Sequence, residues 1–224
     1  MQSSSIQPQL PAFAPFHRTS DALLADGLHA LVEPQEGWMA ISDLHYGYEI
    51  SQHANGALYP AWGMSEIEAR LLQLFERHQP RTLILVGDIV HNTASLDEAR
   101  ALLQRLRRSS LHVIAIAGNH DRHVERSLGL EPFALVRGTL FHHGHLEGPE
   151  WKGRSVVGHW HPALALRSGN GPTIRLPAFV RSGRQWILPA FSPWTNGTPW
   201  LHEVDESYVC TNAQTLPLPT SRGA

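Results

Sequence analysis

The stretch Leu111–Asp121, Leu-His-Val-Ile-Ala-Ile-Ala-Gly-Asn-His-Asp, sets the strongest limit on the fold. It opens as a short, nearly continuous apolar run rich in β-branched residues, His112 aside, and stops at Gly118. A run of that length bounded by glycine predicts a buried parallel strand rather than a helix. An amide, an imidazole and a carboxylate follow at once, and the C-terminal ends of such strands are where α/β sheets place ligands.

The flanking sequence repeats the pattern. Trp38–Ser42 is a short apolar run ending in Asp43-Leu44-His45, and Thr82–Val86 is another, ending in Gly87-Asp88. Between them Ile67, Leu71, Leu74 and Phe75 fall at helical spacing. Ser65 and Glu68 form an expected capping box before a helix over 65–78. A second amphipathic helix is expected over Ser95–Arg108, with Ser95 and Glu98 as its box. Strand, helix, strand, helix, strand in tandem implies right-handed crossovers and a mainly parallel sheet. Ahead of these, Asp26-Gly27 between two apolar runs is a hairpin signal. Residues 46–62 carry Tyr46, Tyr48, Tyr59 and Trp62 without a clear period and read as a long aromatic loop.

After Leu130 the texture changes to short runs separated by turn residues: Phe133–Val136, Thr139–His142, Ser155–Val157, Thr173–Leu176, Gln185–Leu188, Leu201–Val204 and Tyr208–Cys210. Asn170-Gly171 and Ser182-Gly183-Arg184 look like hairpin connections. No linker or repeat separates the halves, so one domain is expected over 21–212, with a loose lead-in at 1–20 and a flexible tail at 213–224. The fold class is α/β, with a second sheet packed on the first and helices outside.

Bulk properties narrow the setting. The chain has 224 residues and a formal charge of −2, which gives no global pull toward nucleic acid or anionic membrane. One cysteine, Cys210, excludes an internal disulfide. No secretory signal or bilayer-length apolar run is present, so a soluble cytoplasmic protein is the expectation. Fifteen histidines against 18 Lys plus Arg is unusual usage, and histidine is the commonest metal ligand.

The strand ends collect those histidines: Asp43-x-His45, Gly87-Asp88, Gly118-Asn119-His120-Asp121, His143-Gly144-His145 and Gly158-His159-Trp160-His161. Only oxygen and nitrogen donors are offered, a set that suits Mn, Fe or Zn. There are too many donors for one ion and about enough for two. A metal pair sharing a carboxylate serves displacement at phosphorus by activated water.

This series resembles the calcineurin-like metallophosphoesterase superfamily, whose blocks D-x-H, G-D, G-N-H-D, H-G and G-H-x-H occur here in order from Asp43 to His161. The resemblance implies a four-layer α-β-β-α sandwich of two packed mixed sheets with flanking helices. It implies two divalent ions, Mn first with Fe or Zn as alternatives. Asp43, His45 and His161 would hold one ion; Asn119, His143 and His159 would hold the second; Asp88 would bridge. His120 would be the general acid near the leaving group, with Asp121 orienting its ring. Within Phe141-His142-His143-Gly144-His145 the family pattern favours His143, with His142 as second choice.

Gly87-Asp88-Ile89-Val90-His91 is similar to the nuclease branch that includes SbcD, which would put His91 beside the phosphate. Chain length, the aromatic loop and Leu188-Pro189-Ala190-Phe191 resemble the PdeM family of ligase-associated DNA-damage-response endonucleases. That resemblance implies a phosphodiesterase of the DNA-repair type, with DNA as substrate and DNA-repair proteins as partners. Arg122 and Arg126, next to His120, would bind substrate. The arginines on the helix 95–108 read as a solvated face. Two alternatives stand beside this reading: a phosphatase or diesterase for small phosphoesters such as nucleotides, and a catalytically silent metal-binding scaffold. Oligomeric state is not legible.

Overall fold

A computed structural model describes residues 12–167, 171–211 and 213–219. In chain order the elements are β1 (Phe16–Arg18), β2 (Leu24–Asp26), β3 (Ala30–Glu33), β4 (Trp38–Ile41), α1 (Tyr48–Ala54), α2 (Gly63–His78), β5 (Thr82–Val86), α3 (Leu96–Arg108), β6 (His112–Ile116), α4 (Glu125–Leu128), β7 (Phe133–Val136), β8 (Thr139–His142), β9 (Arg154–Val157), β10 (Pro162–Arg167), β11 (Thr173–Ser182), β12 (Gln185–Ile187), β13 (Thr198–Pro199), β14 (Glu206–Thr211) and β15 (Gln214–Leu218).

They form two mixed sheets. The first runs β1-β2-β3-β4-β5-β6, antiparallel through β4 and parallel from β4 to β6. The second runs β13-β10-β11-β12-β9-β8-β7, with β14 and β15 added through β11.

Strand alternation explains how the layers stack. On β5, Leu83 and Leu85 face the buried side chains Ile67, Leu71, Leu74, Leu102, Leu103 and Leu106 of α2 and α3. Ile84 and Val86 face the other way, into a cluster with Trp38, Phe141, Phe179 and Trp186 that fills the space between the sheets. A strand buried on both faces needs an unbroken apolar run, as Thr82–Val86 supplies. The outer side of the second sheet carries Val157, Ala178, Val180, Ile187 and Val209, packed against Trp200 and Val204.

Several local expectations need correction. In the segment read as a loose lead-in, Phe16–Arg18 is a strand paired with β2, and in the expected tail Gln214–Leu218 pairs with β14. The Ala14–Thr215 bridge joins the two segments. Long-range pairing holds them, and polar, proline-rich composition does not reveal it. Residues 1–11, 168–170, 212 and 220–224 lie outside the described residues, so Asn170 of the expected Asn170-Gly171 turn is not covered; β10 and β11 are antiparallel across it.

The aromatic loop contains α1. Helix α2 begins two residues before Ser65, whose hydroxyl donates to the Trp62 carbonyl at 2.7 Å. The expected box is replaced by Glu49 of α1, whose carboxylate accepts from the Met64 N–H at 3.0 Å. Ser95 likewise makes no side-chain cap to α3. Leu201–Val204 is not a strand. Among the described residues no helix is long and apolar enough to cross a membrane.

Candidate metal centre

The chain continues beyond β4 and β5 in register. Asp43 N–H donates to the Gly87 carbonyl at 3.1 Å, and His45 N–H donates to that of Asp88 at 2.9 Å. Within this pairing Asp43, His45 and Asp88 all have positive φ, at 55°, 43° and 50°, and His159 and His161 repeat it at 68° and 44°. Non-glycine residues rarely take this conformation, and each costs on the order of 1 kcal/mol. Five such residues at strand ends turn five donor side chains toward one region.

Glycines let the loops close around them. A Cβ on Gly118 would lie 2.1 Å from Asp88 Oδ1, and one on Gly87 would lie 2.1 Å from His143 Nδ1.

The side chains converge. His143 Nδ1 lies 3.0 Å from the Val86 carbonyl, which fixes that nitrogen as the N–H donor and turns Nε2 inward. Nε2 is then 3.4 Å from Asp88 Oδ2, 3.8 Å from Asp43 Oδ1 and 3.2 Å from Asn119 Oδ1. Asp88 Oδ2 is also 3.9 Å from His45 Nε2. It therefore stands between His143 and His45, one imidazole from each expected ligand set. Asp43 Oδ1 is 3.0 Å from His161 Nε2. Backbone amides hold the carboxylates: His159 N–H lies 3.1 Å from both Asp43 oxygens, and His120 N–H donates to Asp88 Oδ1 at 2.9 Å.

Among the described residues three overlapping donor groups result: Asp43, Asp88 and His143; Asp43, His45 and His161; His45, His91 and His120. The His159 ring joins none of them but sits 5.1 Å from the His143 ring. Of the three histidines on and after β8, His143 reaches the carboxylates. His142 lies under Gly148, and His145 stands 5.2 Å from His143, ring to ring.

The charges interact strongly. Burial alone would raise Asp88, but hydrogen bonding and charge from His143 hold its carboxyl well below the usual carboxylate range. Burial lowers His143, yet Asp88 and Asp43 overcome it and carry the imidazole up to about 9. His45 is lowered to about 4 by burial, which keeps it in the neutral form a metal ligand needs. Buried His45 Nδ1 makes no hydrogen bond among the described residues, nor does His161 Nε2 despite its closeness to Asp43. Imidazole nitrogens of His45, His143 and His161 set against the Asp43 and Asp88 carboxylates fit divalent cations held by mixed nitrogen and oxygen donors.

The Asp121 carboxylate, expected to orient the His120 ring, is engaged elsewhere. It accepts from the backbone N–H groups of Gly118 at 2.8 Å, Val90 at 3.0 Å and Ile89 at 3.2 Å. Burial, against those bonds, raises its carboxyl to about 6. The His120 ring is oriented by a backbone group, with Nδ1 2.9 Å from the His91 carbonyl oxygen. Backbone partners leave no mark in a sequence.

His91 lies with His45 and His120: its ring stacks on His120 at 4.9 Å with 23° between planes, and stands 5.4 Å from His45. Arg122 is exposed and lines a cavity of about 420 Å³ with Gly118, His143 and His145. Arg126 is exposed too. On α3, Arg105 pairs with Glu68 at 2.7 Å, Arg100 with Asp97 at 2.6 Å, and Arg107 donates to the Leu128 carbonyl at 3.1 Å. Glu49, a buried acid from the aromatic stretch that ties α2 to Trp194, carries no motif that sequence reasoning could have found.

Residues 39–204, which span the whole of this centre, match the sequence profile of the calcineurin-like phosphoesterases. The chain belongs to that family. It is therefore a metal-dependent phosphoester hydrolase. Its fold is similar to that of a Pseudomonas putida nuclease, MPE, with a TM-score of 0.67 and 24% identity over 92% of this chain and 100% of that one. A phosphoesterase from E. coli, Yfce, aligns at a TM-score of 0.44 and 20% identity, over 78% of this chain and 88% of that one. No curated protein matches the sequence at a significant level.

Proposed function

We propose that this phosphoesterase is a two-metal phosphodiesterase that cleaves DNA in a repair setting, and that it works with Mn. Asp43, His45 and His161 would hold one ion, Asn119, His143 and His159 the other, and Asp88 both. Bound there, the ions would neutralise phosphoryl charge and supply hydroxide near neutral pH. His120 is the proton donor. With Nδ1–H committed to the His91 carbonyl, only Nε2 is free to deliver a proton to the leaving oxygen.

The observation that carries the diester reading is the place of His91. It belongs to one donor group with His45 and His120, which supports a role beside the reacting phosphate. A diester brings one charge and two ester oxygens, and has to be held in line; an added imidazole helps with that. The MPE nuclease shares the fold, and its activity is its own. Arg100, Arg105 and Arg107 of α3 are engaged within the protein, which leaves DNA contact chiefly to Arg122 and Arg126 beside the site.

The test is hydrolysis of a matched aryl phosphate monoester and diester, and of short DNA, with Mn restored after chelation. Diester and DNA cleavage should exceed monoester turnover. The reverse order would favour small phosphoesters, for which the cavity beside Arg122 and His145 has room.

A further inference from the structure

The aromatic stretch from the start of α1 to the start of α2 supplies no metal donor, yet it starts at the site. The Tyr48 ring lies 4.7 Å from that of His91. Trp194 lies 6.1 Å from Tyr48, nearly parallel at 26°, and is also 5.3 Å from Tyr59 and 4.6 Å from Trp62. The rings form one continuous wall from His91 outward, and at its far end Trp62 is 43% exposed. The wall is fixed in place. Trp194 Nε1 donates to Glu49 at 3.1 Å, while the same buried carboxylate caps α2 through Met64. His53 Nε2 lies 2.5 Å from the Tyr59 carbonyl. From Ile50 to Ser65 the sequence has no acidic residue, so nothing on this segment repels a polyanion.

A fixed, partly exposed aromatic wall that begins beside a phosphate-handling imidazole fits a flat group attached to that phosphate. The His120 side of the site is where the leaving oxygen departs, so this flat group is the leaving group's own. We infer that Tyr48, Tyr59, Trp62 and Trp194 form a stacking platform for the nucleobase on the leaving side of the scissile phosphate. This rests on the phosphodiesterase reading and narrows it: a base lies on the wall only when it is free of its partner, so the substrate is single-stranded or frayed DNA. Stacking on aromatic rings is tolerant of base identity.

The probe is a thymidine dinucleotide, with analogues carrying an abasic residue on one side or the other, titrated into the Mn-loaded full chain. Binding is read as quenching of tryptophan fluorescence and as KM. Removing the base on the leaving side should weaken binding about tenfold, the scale of one base stacked on one aromatic ring, and removing the other base should matter little. Trp62→Ala should erase the difference and Trp62→Phe should keep most of it, with circular dichroism showing both folded. Equal binding of all three probes, or undiminished discrimination in the Ala variant, overturns the platform. Bis-nitrophenyl phosphate, run alongside, separates the two failures. Its hydrolysis without base discrimination removes the platform alone; no diester hydrolysis removes the diesterase reading and the platform with it.

Discussion

His120 Nδ1 lies 2.9 Å from the backbone carbonyl oxygen of His91, and the two rings stack at 4.9 Å. One residue therefore serves the other twice, by its main chain as an orienting acceptor and by its ring as a packing surface. The carbonyl fixes the His120 tautomer whatever the side chain at position 91, so the two histidines can be tested apart.

If His120 donates the proton, His120→Ala should slow turnover by about 10²–10⁴-fold without loss of metal. The defect should shrink on a nitrophenyl ester, whose leaving group needs no proton. Rates measured on esters with good and poor leaving groups decide it. An equal loss on both would make His120 a binding residue.

Asp121 should behave differently. It is fully buried and satisfies three backbone N–H groups. Asp121→Ala would leave those donors unpaired and should cost about 3 kcal/mol or more in urea denaturation. Asp121→Asn, which keeps an acceptor oxygen, should cost less. The leaving-group dependence should stay as in the wild type. A stable Ala variant with the His120→Ala rate profile would return the carboxylate to the ring.

Asp88 stands between His143 and His45, and a neutral amide there could not offset two dications. Asp88→Asn should release at least one equivalent of metal from a folded protein, read by elemental analysis after Mn loading and desalting. Unchanged stoichiometry in a folded variant would end the bridging role.

Acid stability should depend on His29, which sits at the turn between β2 and β3 with Nδ1 2.7 Å from the Ala190 carbonyl. Burial, and then the charge of Arg70, lowers its imidazole to about 4. An unfolded histidine titrates near 6.5, so between those values the unfolded chain binds a proton that the folded chain refuses. Stability should therefore fall as pH drops through this window, by roughly 2 kcal/mol between pH 7 and pH 5. His29→Asn, which tolerates the positive φ of 67°, should flatten that part of the curve. An unaltered slope would assign the acid sensitivity elsewhere.

The parallel half of the first sheet was legible because β4 and β5 are buried on both faces and must be apolar, and because β6 is apolar after its exposed His112. The convergence of Asp43, His45, Asp88, His143 and His161 was legible because all five follow the ends of apolar runs. What escaped was held by partners distant in sequence. Asp26 reads as a turn residue, and it does accept from the Leu28 N–H at 2.9 Å, but it also binds Arg77 and His78 of α2, each at 2.7 Å. Helix α1 is too short to show a period, and α2 takes its cap from Glu49 rather than from its own first turn. The partners of Asp121 escaped for the same reason, being backbone amides of Gly118, Ile89 and Val90.

The remaining prediction concerns the ring of His91. It shares a donor group with His45 and His120, while its carbonyl, which orients His120, survives any side-chain change. If His91 is the clamp and His120 the acid proposed above, His91→Ala removes the first without removing the support of the second. A monoester offers three free oxygens to the two metals and depends little on such a clamp. A diester has fewer to offer and must still be aligned for in-line displacement, where orientation is a large part of the barrier. Diester and DNA cleavage should accordingly drop well below monoester hydrolysis, by about tenfold or more in the ratio of the two rates, with metal content unchanged. Loss of the stacked ring could also loosen His120, but that would slow both substrates and leave the ratio where it was. A ratio that moves identifies His91 as a diester-positioning group. A ratio that does not would return it to packing and shift the substrate toward small monoesters.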